Sequence, residues 1–254
     1  MILNIAAYQF VEIEAPESFV SRVREALDGL DLRGTILVAG EGINLFLAGA
    51  PASVEAFLEW LRADPRFAHI VCKRSFSETQ PFARLKVKLK SEIISFRQGK
   101  ASPLAGRAPA VEPGKLARWI AQGHDDEGKR LVLLDTRNRQ EVAHGTFEGA
   151  LHFPIDKFTD LPAAVSEVRE SLEDATVVSF CTGGIRCEKA ALWMQSAGMR
   201  NVLQLEGGIL GYFEQVGGFG YDGHCFVFDE RVALDSALNP LVAYDSPAQR
   251  HVES

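Results

Sequence analysis

Cys181-Thr182-Gly183-Gly184-Ile185-Arg186-Cys187 is the stretch whose residue types and spacing could do covalent chemistry. The run 177–180 before it reads as a strand, and the residues from near Cys187 onward read as a helix. Cys181 is then the first residue out of a strand. Gly183 and Gly184 let the backbone curl until several N–H groups point inward, which makes an anion cradle. The following helix presents its N-terminus to the same point, and Arg186 adds a permanent positive charge. All three favour thiolate over thiol, so the free cysteine pKa of about 8.5 should fall. The pattern describes an activated nucleophile rather than the buried, inert thiol that a free cysteine more often is. The four residues between Cys181 and Arg186 make a cradle too tight for a tetrahedral phosphate and better sized to one sulfur atom or a similarly small group. Cys187 is a second thiol at the helix start; it could resolve an oxidised or persulfidated intermediate, or simply pack. Cys72 reads as core, and Cys225 shares none of this setting.

The elements that must position this loop alternate in type. "RLVLLDTRN" is a strand with Asp135 and Arg137 at its C-terminal end, "ATVVSF" and "NVLQLEGG" are further strands, and helical segments lie between them. Short apolar strands alternating with helices predict a parallel sheet covered on both faces. The ligand site of such a sheet lies beyond the carboxyl ends of its strands, where Cys181 and the Asp135/Arg137 pair both fall. That pair is expected to fix the loop and its charge.

Ahead of this lies a different pattern. "LNIAAYQFVEI" reads as a strand and "PESFVSRVREALDGL" as a helix, with Phe19, Val20, Val23 and Leu27 on one face. "RGTILVAGEGINLFLAG" reads as two strands around a turn, with Gly40 and Gly42 free to take positive φ. A second helix follows, with Val54, Phe57, Leu58 and Leu61 apolar and Ser53 as its cap, and then a fourth strand. The order β-α-β-β-α-β is the ferredoxin-like split βαβ arrangement. In "ARLKVKLK", Arg84, Lys86, Lys88 and Lys90 share one parity and Leu85, Val87 and Leu89 the other, so a strand there carries a basic rail on one face. The rail suits a polyanion, and it equally suits an edge strand kept soluble by lysines.

The expected fold class is therefore α/β: a ferredoxin-like domain followed by a parallel-sheet α/β domain. The boundaries are 1–96, a Gly/Pro/Ala-rich linker 97–114, a second domain 115–221 and a C-terminal extension 222–254. The 254 residues suit two domains. The N-terminus has no basic region or cleavage pattern of a secretory signal, and no apolar run approaches the roughly 20 residues of a membrane span. The four cysteines fit neither a disulfide framework nor a zinc site, which points to a reducing cytoplasm. Net charge is −7, but residues 66–107 hold ten basic side chains against two acidic ones. A local patch of that kind can bind a polyanion in an acidic protein, because the field decays over a Debye length of about 8–10 Å.

"CTGGIRCEKA" resembles the active-site loop of rhodanese-type domains, with Cys181 as the persulfide-forming residue. "LLDTRNRQEVAHGTFEGALHFP" resembles the rhodanese strand and loop that carry an Asp-x-Arg pair, and "LEGGILGY" the final strand and turn. "AGEGINLFLAG", "CTGGIRCEKA" and "FVFDER" together resemble the bacterial oxygen-dependent tRNA uridine-34 hydroxylases, in which an acylphosphatase-like domain precedes the rhodanese domain. Many members of that family continue into a cysteine-rich tail, which "LNPLVAYDSPAQRHVES" does not resemble. The resemblance implies hydroxylation of the wobble uridine to 5-hydroxyuridine with molecular oxygen and a reductant. It implies that the tRNA anticodon loop presents a base to Cys181. The expected catalytic residues are Cys181 and Arg186, supported by Asp135, Arg137, Thr182, Gly183, Gly184 and Cys187, with Arg84, Lys86, Lys88 and Lys90 holding RNA. No bound cofactor is evident, no metal or membrane is expected, and no protein partner is inferable: there is no dinucleotide fingerprint and no His/His/carboxylate set for iron. Two rival readings are a thiosulfate-type sulfurtransferase acting through a Cys181 persulfide and a non-enzymatic RNA-binding or sulfur-carrier module.

Overall fold

The computed structural model describes residues 1–99 and 102–241. In the first domain the elements are β1 (Ile2–Phe10), α1 (Pro16–Leu27), β2 (Arg33–Ala39), β3 (Gly42–Gly49), α2 (Pro51–Arg62) and β4 (Cys72–Ser77). Four strands pair antiparallel in the order β4-β1-β3-β2, and a fifth, β5 (Leu85–Leu89), adds parallel to β2 at the edge. Strand parity decides which face meets the helices. Leu3 and Ile5 of β1 and Ile43, Leu45 and Leu47 of β3 are buried against Phe19, Val20, Val23 and Leu27 of α1 and Val54, Phe57, Leu58 and Leu61 of α2. Two local expectations need correction. Ser53 does not cap α2, because Pro51 already occupies the first turn and places the N-cap at Ala50. Of the two turn glycines only Gly42 has positive φ, +142°, and a Cβ there would lie 2.0 Å from the Gln9 carbonyl oxygen.

The second domain runs β6 (Ala110–Val111), α3 (Pro113–Gln122), β7 (Arg130–Asp135), α4 (Arg139–Val142), β8 (Gly145–Phe147), α5 (Leu161–Val168), β9 (Ala175–Phe180), α6 (Ile185–Ser196), β10 (Val202–Leu205) and α7 (Gly208–Val216). Its four-stranded parallel sheet has the order β6-β10-β9-β7. Every residue of β9 is buried, as a central strand covered on both faces requires. β11 (Tyr221–Gly223) pairs with β8, and β12 (Cys225–Phe226) forms a small ladder with β13 (Ala233–Leu234). Within the stretch 97–114, β6 joins the second sheet because Val111 is buried in that domain's core. Phe96 already belongs to the second domain, with its ring stacked on Phe158 at 4.4 Å. Residues 242–254 of the expected extension lie outside the described residues. No helix among the described residues is long and apolar enough to cross a membrane.

The two domains meet face to face. The sheet face of the first domain turned away from its own helices carries Ala6, Tyr8, Asn44 and Phe46, and all four line a cavity that Cys181 also lines. Lys189 of α6 is buried and donates to Glu41 at 2.8 Å, Glu92 at 3.0 Å and the Ile94 carbonyl at 3.1 Å. Lys73 of β4 pairs with Glu214 of α7 at 2.7 Å. Arg231 donates to the Ser75 hydroxyl at 2.6 Å.

Candidate active site

Cys181 follows the last residue of β9, and the chain turns at once. Gly184 takes φ +102° and is the N-cap of α6, so the helix starts at Ile185, two residues before Cys187. The Gly184 N–H donates to Cys181 Sγ at 3.1 Å. From the far side the twin glycines after β10 close the loop. Gly208 has φ +62°, and a Cβ on it would lie 2.5 Å from the Cys181 carbonyl oxygen and 2.7 Å from the Gly184 nitrogen. With glycine there, Ile209 N–H donates to the Cys181 carbonyl at 2.9 Å and Leu210 N–H to the Thr182 carbonyl at 3.0 Å. The first turn of α7 thereby holds the backbone of the nucleophile loop.

The electrostatics favour the thiolate. Burial pushes the Cys181 thiol up. The Cys187 side chain, the Arg186 charge and the amides of Arg186 and Gly184 more than offset it and bring the pKa down to about 6. Cys187 moves the other way: its own burial, then the neighbouring Cys181 sulfur, push it well up, so it stays a thiol and acts as donor. Cys187 is fully buried and does not line the cavity, whereas Cys181 sits on the cavity floor. The thiolate absorbance of the folded protein should therefore titrate with a midpoint near pH 6. That step should vanish in Cys181→Ala, and a midpoint near the ordinary cysteine value would sink the thiolate assignment. Cys225, pushed up to about 12 mainly by burial, contributes nothing in that range.

The Arg186 guanidinium makes a bidentate pair with Glu141 of α4, 2.6 Å at each nitrogen, and both side chains are buried. Its net field at the sulfur is thus shared with a carboxylate, while its backbone N–H contributes directly. Asp135 and Arg137 are fully buried beneath the loop and form their own pair at 2.6 Å. Arg137 also donates to the Gly145 carbonyl at 2.6 Å, and Thr146 donates to Asp135 at 2.8 Å. Neither residue lines the cavity. Thr182 and Gly183 do line it, together with the Arg186 side of the loop.

The rail is a short ladder segment whose register sets its face. Leu37 pairs with Lys88, and Leu37 lines the cavity, so Lys86, Lys88 and Lys90 lie on the face that looks toward Cys181. Lys90 reaches the cavity itself, and Arg97 and Lys157 stand at its edge. None of these five cations takes part in an ion pair among the described residues. Arg84 is exposed just before the strand.

Three residues escaped sequence reasoning. Glu141 was signalled by the Asn138-x-x-Glu141 spacing of a helix start. Glu188 follows Cys187 directly in the first turn of α6, and Tyr8 comes from the other domain. Tyr8 donates to Glu188 at 2.9 Å.

Similarity to known proteins agrees with both halves of this architecture. Residues 2–93 match the UPF0176 acylphosphatase-like domain, and residues 115–215 match the rhodanese-like domain. A tRNA uridine(34) hydroxylase of Xanthomonas euvesicatoria pv. vesicatoria is 66% identical over 248 residues, covering 98% of this chain and 100% of the relative. One from Xylella fastidiosa is 60% identical over 241 residues, covering 95% and 94%. With a thiolate loop at the domain junction and this identity along nearly its whole length, the chain belongs to the tRNA uridine(34) hydroxylase family.

Proposed function

We propose that this chain converts uridine 34 of tRNA to 5-hydroxyuridine, with Cys181 as the nucleophile that activates the ring. The observation that carries this is a thiolate on the floor of a cavity of about 1200 Å³, roofed by an aromatic and amide face of another domain. A cavity of that size admits a whole nucleoside, where a rhodanese loop alone needs to admit only a sulfur atom. An unstacked base of the anticodon loop can be splayed into such a site.

Addition of the thiolate to uracil C6 forms the C–S bond and moves the ring's electron pair toward C5 and O4. The electron-rich C5 then bonds to molecular oxygen, giving a C5 peroxide. Two electrons from a reductant and three protons split the O–O bond and leave C5–OH and water. Loss of the C5 proton and of the C6–S bond restores the double bond and the thiolate. The sum is uridine plus O2, two electrons and two protons to 5-hydroxyuridine plus water. The amides around Cys181 hold the sulfur anionic before attack and after release.

The test is the purified chain with unmodified tRNA and a chemical two-electron donor, with and without oxygen, read by nucleoside mass spectrometry. Oxygen-dependent 5-hydroxyuridine at position 34 is expected; its absence under all donors, with tRNA bound, overturns the proposal. A tRNA substrate also supports a cytoplasmic location.

The basic rail supports docking of the anticodon arm through phosphates, contacts that orient RNA without reading sequence. Reversing Lys86, Lys88 and Lys90 to Glu should weaken tRNA binding at least about tenfold at low salt. It should also flatten the salt dependence by roughly 0.7 per lost contact. The Cys181 titration should stay unchanged. An unaltered salt slope would assign the rail to solubility alone.

The tight thiolate loop favours one second reading, sulfur transfer from thiosulfate through a Cys181 persulfide. A thiosulfate-to-cyanide assay with and without tRNA separates the two: fast turnover that ignores tRNA supports sulfur transfer.

A further inference from the structure

Resting on the hydroxylation reading, one step still lacks a group: something must take the C5 proton when the thiolate leaves. The nucleophile loop supplies donors and a cation but no base. Four carboxylates line the cavity. Glu92 is held by Lys189 and by the amides of Phe96 and Arg97. Asp160 is exposed, and Glu206 is about two-fifths exposed and paired with Arg107. Glu188 differs from these. It is buried in the first turn of the helix that begins at the Cys181 loop, and its Oε1 accepts the Tyr8 hydroxyl at 2.9 Å as well as Arg107 Nε at 3.2 Å.

Tyr8 reaches this point from the opposite domain. Its oxygen lies 2.9 Å from where a Cβ on Gly184 would sit, and Gly184 is the residue whose N–H binds the Cys181 sulfur. The phenol thus stands over the Cys181 loop, inside the cavity, with its proton directed at Glu188 and no hydrogen-bond donor on its oxygen among the described residues. Burial keeps Tyr8 protonated and raises the Glu188 carboxyl above its usual range, so the neutral phenol holds a proton to pass and Glu188 is the acceptor it already donates to. The charged groups facing the pair are Arg107, Glu206 and the Cys181 sulfur.

We propose that Tyr8 is a catalytic residue that accepts the C5 proton of the oxygenated adduct while passing its own proton to Glu188. The C5–H bond breaks and its electron pair forms the C5–C6 double bond. The C6–S bond breaks and its pair returns to Cys181. The Tyr8 oxygen gains the substrate proton as it yields its own, so Tyr8 ends neutral and Glu188 ends as the carboxylic acid. No oxidant or reductant enters this step. The acylphosphatase-like domain then contributes to chemistry as well as to RNA docking.

Loss of a general base typically costs 10²–10⁴-fold, so Tyr8→Phe should lower 5-hydroxyuridine formation by about a hundredfold or more. The decisive readout is the covalent protein–tRNA species under turnover conditions. Blocked at its last step, the variant should accumulate a Cys181-linked adduct that carries one added oxygen atom, several-fold above wild type. Glu188→Gln keeps the shape of the hydrogen bond and should show the same partition. Turnover within about threefold of wild type in both variants overturns the relay. So does a parallel fall of adduct and turnover, which would mark a role in shaping the cavity alone. A wild-type protein that yields neither hydroxylated nucleoside nor adduct removes the hydroxylation reading itself, a different failure from normal turnover in the variants.

Discussion

Replacing Cys181 by alanine is expected to reduce 5-hydroxyuridine formation to background, a loss of at least about 10³-fold, because no other group can take over its attack on the ring. The nearest thiol is Cys187, but it is buried behind the loop, does not line the cavity and is held as a thiol. Removing Cys181 takes away the neighbouring sulfur that raises Cys187, yet burial, the larger cause, remains. Cys181→Ser separates charge from position: the hydroxyl occupies nearly the same place but is no anion near neutral pH, so it should be as inactive as alanine. Both variants should still bind tRNA, since the cations on the rail and at the cavity edge are untouched. Nucleoside mass spectrometry alongside a tRNA-binding titration reads both quantities. Retained hydroxylation in Cys181→Ser would remove covalent attack from the mechanism.

The Cys181 loop was legible because its setting is local. Strand, cysteine, glycine turn and helix start fall within a dozen consecutive residues, and local backbone preferences decide their geometry. The helix faces of the first domain were legible for the same reason: helical spacing selects Phe19 and Val23 or Val54 and Phe57 whatever lies beyond. What surrounds the nucleophile was not legible, because it is made by tertiary approach. Tyr8 and Glu188 are separated by 180 residues and meet only when the sheet of the first domain packs against α6 of the second. The orientation of the rail depended on register: a one-residue slip between β2 and β5 would turn the lysines toward α1. Arg186 read as a free charge because nothing in its own segment announced Glu141, 45 residues earlier.

The three motifs that carried the family resemblance have a common physical task. Glu41 of "AGEGIN" accepts Lys189 of "CTGGIRCEKA", and Arg231 of "FVFDER" ties the segment after β12 to β4 of the first domain. Phe228 of the same motif lines the cavity. Each stretch therefore helps set the distance between the first sheet and the Cys181 loop, and that distance defines the space a nucleoside would occupy. A buried lysine shared by two carboxylates is costly unless all three groups stay in register. Displacing either domain would leave the buried Lys189 charge short of a partner.

Glu141→Gln should be strongly destabilising, and it should act on Cys181 in the opposite sense. The Arg186–Glu141 pair is bidentate at 2.6 Å on both arms, with side chains 7% and 1% exposed. Removing one member of a buried pair leaves the other charge uncompensated, at a cost of roughly 3–5 kcal/mol. For a chain of this size that lowers the melting temperature by about 6–20 °C. Glu141 also accepts the Asn138 N–H at 3.1 Å, so the start of α4 loosens with it. The Arg186 charge, no longer shared with a carboxylate, acts more fully on Cys181. The thiolate midpoint should therefore move below its value of about 6 even as the fold weakens. The sign follows from linkage. A thiol depressed in the folded state adds stability above its unfolded pKa and loses it as pH falls through the folded one. The variant's deficit should accordingly be largest below its own lowered midpoint, shrink as pH rises through about 6, and stay level above that. Thermal unfolding and thiolate absorbance, measured across that range, separate the two effects. A midpoint that rises, or a melting temperature that does not change, would mean that Glu141 neither neutralises Arg186 nor shapes the charge at Cys181.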